Sequence, residues 1–302
     1  MPAYQYTTVG HVTADVLADG SRRPGGGAFY SALQAARLGK RALIITQGVP
    51  SEVEQLLAPY RDELELEIIP AQHTTTLHTF GHGAARTQRL LAWAGPIARA
   101  VAVDTAILHL APVARETTAR WEGHADFVGL TPQGLVRAWA DLGAQIKQRE
   151  LEPEQLPDRC DAIVISRAER QSCAWLLAPA RERHGARATG SPAAPGDPAA
   201  GAPGPLIAVT AGGEATALHI PGQEMLALEV PRIEQFVDDL GAGDVFAAAF
   251  FVSLLEGRPP AEASAFGNAA AAVRIGGAGP EGVGERHAIL ARLRELSAGA
   301  RV

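Results

Sequence analysis

From residue 7 onward the chain repeats one pattern: a short, almost wholly apolar run, then a stretch with helical period. TTVG (7–10) reads as a strand and AFYSALQAARLG (28–39) as a helix closed by Gly39. ALIITQG (42–48) is a buried strand, and SEVEQLLAPY (51–60) a helix with a capping box from Ser51 to Glu54. LELEIIP (64–70), AILHL (106–110), DFVGL (126–130), DAIVIS (161–166) and LIAVT (206–210) read as further strands. Helices are predicted over 133–143, over RAERQSCAWLLAPA (167–180), and over 243–256, 260–275 and 284–297. Strands this apolar cannot leave a face in water. The repeat therefore predicts an α/β fold of three layers, a mainly parallel sheet covered by helices.

Two segments break the pattern. Residues 180–204 are rich in Pro, Gly and Ala and aperiodic, which predicts a flexible surface insertion. Residues 74–97 alternate Thr with apolar and aromatic residues and then turn basic. With 14–23 they predict either a small β-lid over the sheet edge, its second segment spanning 74–93, or two ordinary connecting hairpins. The whole 302-residue chain, 1–302, reads as one domain that includes those segments.

Composition excludes several function classes. A net charge of −6 carries no nucleic-acid footprint. The longest apolar run, Phe246 to Leu255, is too short to span a bilayer. Cys160 and Cys173 are too few for a disulfide framework or zinc cluster. His78, His82, His109 and His124 lack metal-ligand spacing. The opening residues lack signal-peptide features, so the expected location is cytoplasmic. Asn268 is the only asparagine.

The chemistry concentrates in VDDLGAGDVFAAAFF (237–251). A small-residue turn, Gly241-Ala242-Gly243, opens a helix, so several backbone N–H groups are unpaired at a positive helix end. Asp244 places a carboxylate beside that anion hole. The pair suits deprotonating a hydroxyl while a transferring phosphoryl group is held. Asp-rich and Gly-rich turns also simply cap helices, so from this segment alone both readings stand.

Four blocks in order resemble the ribokinase-like (PfkB) family of carbohydrate and nucleoside kinases: GHVTADVLADGSRRPGGGAFYSALQAARLG, VTAGGEATAL (209–218), DDLGAGDVFAAAF and FGNAAAAVRIGGAG (266–279). TPQGLVR (131–137) and RTQR (86–89) resemble a branch near the plant-type myo-inositol kinases. The resemblance implies transfer of the γ-phosphate of ATP, with Mg²⁺, to a hydroxyl of a sugar or cyclitol, or of a nucleoside. A binding protein without catalysis on the same fold is the alternative from another class. It implies Asp244 as general base and 241–244 as anion hole. Asp15, Gly25 and Gly26 would hold acceptor hydroxyls; Thr210 and Gly212 would lie near the donor phosphates and Asn268 near adenine. Glu169 would act on Mg²⁺ through water. Asp238 would belong to a monovalent-cation loop for K⁺, with main-chain carbonyls near 275–284. A small-molecule substrate, and a monomer or homodimer, complete the implication.

The chain departs from the family pattern in three places. Tyr30 and Ser166 stand where asparagines are usual, and Asp239 where a threonine is usual. Tyr30, Thr79 and Phe80 could line the acceptor pocket or the core. Arg86 and Arg89 on the lid could meet phosphate or stay in solvent.

Overall fold

The computed structural model describes residues 2–117, 120–178 and 204–299. The predicted insertion at 180–204 lies almost wholly outside the described residues. Among the described residues nine strands form one sheet in the order β15-β14-β13-β12-β9-β8-β1-β4-β5. These are β1 (Tyr4–Val9), β4 (Ala42–Gly48), β5 (Leu64–Pro70), β8 (Val101–Leu110), β9 (Trp121–Leu130), β12 (Ala162–Ser166), β13 (Leu206–Ala211), β14 (Glu214–His219) and β15 (Leu226–Leu228). All neighbours from β13 to β5 pair in parallel, and the β14 and β15 edge is antiparallel.

Among the described residues, one face of the sheet carries five α-helices: α1 (Gly27–Arg37), α2 (Pro50–Leu57), α3 (Ala242–Leu255), α4 (Pro260–Ile275) and α5 (Arg286–Gly299). Their apolar side chains share a core with Tyr6, Ile44, Ile107 and Val164 of the strands. Helix α3 is buried almost all round, which is why it is apolar on every side rather than striped. The opposite face packs Val9, Leu108, Val128 and Ile163 against Leu135, Leu151, Leu156, Cys173 and Leu176. Burial pushes the Cys173 thiol up to about 12, as befits a core residue.

Several local expectations are corrected. Residues 133–143 do not form a helix: a 3₁₀ turn (Pro132–Gly134) leads into β10 (Arg137–Ala138), which pairs antiparallel with β11 (Lys147–Gln148). Residues 167–178 form two 3₁₀ turns, Arg167–Glu169 and Ala174–Leu177, rather than one α-helix. In both segments the apolar residues serve the second face of the sheet, and tertiary burial outweighs helical period. The Ser51 capping box is absent because the helix starts one residue earlier, with Pro50 in its first turn and Val49 as N-cap.

A second sheet stands over the carboxyl edge of the first. Its order is β3-β2-β6-β7, from β2 (Thr13–Val16), β3 (Arg22–Gly25), β6 (Thr76–Phe80) and β7 (Thr87–Ala92). The strands come from the two irregular segments that suggested a lid. Leu77 and Leu90 pack beneath it against Val113, Ala114, Trp93 and Trp139.

Candidate active site

Between the two sheets lies a cavity of about 1200 Å³. Gly241 is the N-cap of α3 with φ 79°, a left-handed conformation that glycine adopts without penalty. A Cβ there would sit 2.3 Å from the Tyr30 ring. At Gly243 a Cβ would meet nothing within 4 Å, so that residue opens onto the cavity. A side chain at 241 would thus meet the protein itself, whereas one at 243 would project into the cavity.

Asp244 sits in the first turn of α3, and its main-chain carbonyl accepts the Ser31 hydroxyl at 3.2 Å. Burial pushes its carboxyl up to about 7. Arg137 and Arg86 pull it down and the charges of Glu169 and Asp15 push it up. A Cβ on Gly27 would come within 2.8 Å of its carboxylate, so the N-terminus of α1 closes directly on this group.

Asp15 is 2% exposed and accepts the Thr13 hydroxyl at 2.7 Å. Burial raises its carboxyl, against the pull of that hydroxyl and of Arg23, Arg137 and Arg86. Gly25 makes room for it, since a Cβ would lie 2.2 Å from Oδ2. Gly26, at φ 92°, has the carbonyl of His11 where a Cβ would be. Tyr30 is 1% exposed; its ring packs under Gly241 and 5.2 Å from the Phe29 ring. Burial pushes its hydroxyl up to about 12.

Ser166 and Thr210 are register partners at the ends of β12 and β13. Glu169, 6% exposed, accepts the Ser166 N–H at 2.8 Å in a capping box and lines the cavity. Burial raises its carboxyl. Gly212 borders the cavity with φ 63°. Asn268 lies on its wall, but its amide is engaged: the oxygen accepts the Thr216 hydroxyl at 2.8 Å, and the nitrogen donates to the Glu229 carbonyl at 3.2 Å. Thr79 is buried, and Phe80 is on the outer side. Arg86 bonds Asp239, whose other oxygen takes the Gly83 N–H at 2.9 Å, so the hairpin between β6 and β7 is pinned to the turn before α3.

Where a monovalent cation was expected beside Asp238, the guanidinium of Arg274 is found. Burial alone would raise the Asp238 carboxyl, yet hydrogen bonds from Arg23, the Leu240 N–H and Arg274 hold it well below the usual range. Among the described residues no group of three or more His, Cys, Asp or Glu side chains could hold a metal ion by itself. No described helix is long and apolar enough to cross a membrane.

Sequence reasoning missed Arg137, Gly27, Arg274 and Glu116. Arg137 is buried, donating to the Val113 carbonyl at 2.8 Å and the Gln88 amide oxygen at 2.6 Å. Burial depresses its guanidinium, while Glu169, Asp15, Asp244 and Glu116 favour its charge. It lay inside a segment with helical period, where an arginine reads as a solvated residue. Glu116 accepts the N–H groups of His11 and Val113 at 2.8 Å, and of Ala114, bracing the turn after β1.

The sequence profile described as pfkB family carbohydrate kinase matches residues 8–283. A ribokinase of Arabidopsis thaliana is 36% identical over 90 residues, a match spanning 29% of this chain and 24% of that protein. Among solved structures, a pyrophosphate-dependent myo-inositol-1 kinase altered to a myo-inositol-3 kinase has TM-score 0.67 at 19% identity, covering 96% of this chain and 99% of that one. Arabidopsis thaliana ribokinase, complexed with ribose and ATP, has TM-score 0.68 at 17% identity, covering 97% and 99%. At these identities the structural likeness is one of fold.

Proposed function

Since the chain belongs to the pfkB family of carbohydrate kinases, we propose that it transfers the γ-phosphate of ATP to a hydroxyl of a sugar or cyclitol. The observation that carries this reading is Asp244, a carboxyl poised near 7 in the first turn of α3, directly beside an anion-binding helix end. The acceptor hydroxyl hydrogen-bonds Asp244, which takes its proton as the oxygen attacks the γ-phosphorus. The new O–P bond forms as the bridging bond to the β-phosphate breaks, and ADP leaves. Backbone N–H groups of 242–244 receive the charge on the transferring oxygens.

Asp15 orients the acceptor from the small-sheet side of the cavity, with Gly25 and Gly26 allowing close approach. Thr210 and Gly212 lie on the donor side. Glu169 and Asp244 are two mutually repelling carboxylates in one cavity, which suits a hydrated cation. Mg²⁺, held through water by Glu169, would supply charge neutralisation for the donor phosphates. The small sheet (14–23 and 74–93) acts as a lid within one kinase domain spanning 1–302.

A cyclitol or non-ribose sugar is favoured because Tyr30 replaces the amide that a ribose pose uses. A nucleoside acceptor is the second reading, and it rests on the family alone. The test is product formation from a panel of sugars, cyclitols and nucleosides with ATP, GTP or pyrophosphate as donor, with and without Mg²⁺. Phosphorylated cyclitol or sugar with ADP release supports the proposal. Specific binding with no turnover across the panel would make the protein a binding module and overturn it.

A further inference from the structure

Arg274, in the last turn of α4, is 0% exposed. A buried guanidinium needs acceptors for its charge, and these come from two separate backbone segments. Nη1 donates to the main-chain oxygens of Asp238 at 3.2 Å and Gly277 at 3.0 Å. Nη2 donates to the Leu240 oxygen at 2.7 Å and to Asp238 Oδ2 at 3.0 Å. The same Oδ2 meets Arg23 of β3 at 2.7 Å, and the Tyr30 ring centre lies 5.3 Å from the guanidinium carbon.

Three carbonyl dipoles and a carboxylate oxygen converging on one point repel each other unless a positive charge sits among them. The cluster also sets the geometry of the catalytic turn. Because the peptide joining Leu240 to Gly241 is trans, fixing the Leu240 carbonyl on Arg274 directs the Gly241 N–H the opposite way. The next three residues are the proposed anion hole. Tyr30 closes the arrangement by pressing on Gly241 from the side that holds Arg274.

We infer that Arg274 is a built-in cation: a positioning residue that holds 238–241 in shape for the anion hole and fills the oxygen cluster a free monovalent cation would need. Turnover by this protein therefore requires no K⁺. The kinetic part of the inference rests on the phosphotransfer reading; the occupancy of the cluster does not.

The experiment compares wild type and R274A in buffers of K⁺, Na⁺ or tetramethylammonium, reading both turnover and melting temperature. Wild type is expected to be indifferent to the cation in both. R274A is expected to lose about a hundredfold in kcat with little change in acceptor KM, as for a turn displaced by about 1 Å. K⁺ or guanidinium at sub-denaturing concentration should then restore kcat and raise the melting temperature of R274A above its value in tetramethylammonium. A K⁺ requirement in wild type overturns the inference, as does an R274A that melts and turns over like wild type without added cation. If no acceptor is turned over, the function reading fails separately, and the melting temperatures still decide the cation question. If R274A does not fold, R274K keeps the charge without the fork and is expected to fall between wild type and R274A, gaining turnover and melting temperature from K⁺; an R274K that matches wild type in both without added cation overturns the role of the fork.

Discussion

Asp244 works against its surroundings. Its carboxyl is pushed to about 7 by burial, with Glu169 and Asp15 adding to the shift. As a base it must be ionised, so kcat/KM should rise with pH through about 7 and level off above it, a profile measurable by initial rates. Asp244→Asn should lower kcat by roughly 10²–10⁴, the usual share of a positioned base. The same shift has a stability consequence. The folded-state value is raised above the unfolded one, so this group favours the fold at low pH and loses that contribution as pH rises through about 7. Asp244→Asn should therefore melt higher than wild type at pH 8, by roughly 2–4 °C for each kcal/mol relieved. The advantage should vanish in acid, where wild type is already protonated. Asp244 as the candidate base was legible from its place after a small-residue turn. Its raised carboxyl was not, because burial and four neighbouring charges come from elements far apart in sequence.

At the scale of elements, the two glycines of the α3 turn separate cleanly. Gly241→Ala must adopt φ near 79° and pushes a methyl into the Tyr30 ring, so it should lose about 2–4 kcal/mol of stability in a denaturant titration. Gly243→Ala meets no protein atom and relieves glycine's entropy, so its stability should hold or rise by up to about 1 kcal/mol. Its turnover should still fall, because the methyl projects where phosphate must approach. The parallel strands and helices α1, α3 and α4 were readable, since each has a strong period of its own and needs little from elsewhere. Residues 133–143 and 167–178 were not: their apolar residues fit a helix equally well, and only the strand face they cover decides against it. That misreading also concealed Arg137, which β10 turns inward over the cavity.

For the whole molecule, the small sheet is latched to the loop that leads into α3. Asp239 holds the Gly83 N–H and Arg86 of the lid hairpin, and it neighbours Asp238, which binds Arg23 of β3. Asp239→Ala should loosen residues 81–87 by about 1 kcal/mol per lost bond, seen as faster amide exchange there with β1 and β8 unchanged. Equal protection in the variant would show that the lid is held by its apolar underside around Leu77 and Leu90 instead. The sequence by itself determined the parallel sheet and the glycine-rich turn that opens α3, because hydrophobic period and a glycine-rich helix start act over a few neighbouring residues. It also determined which carboxylate follows that turn. Only the tertiary structure decided what surrounds the turn: Tyr30 beneath Gly241, Arg137 acting on Asp244, and Arg274 among the carbonyls of 238, 240 and 277. Such arrangements depend on long-range packing, where a buried charge is settled by partners that no local pattern announces.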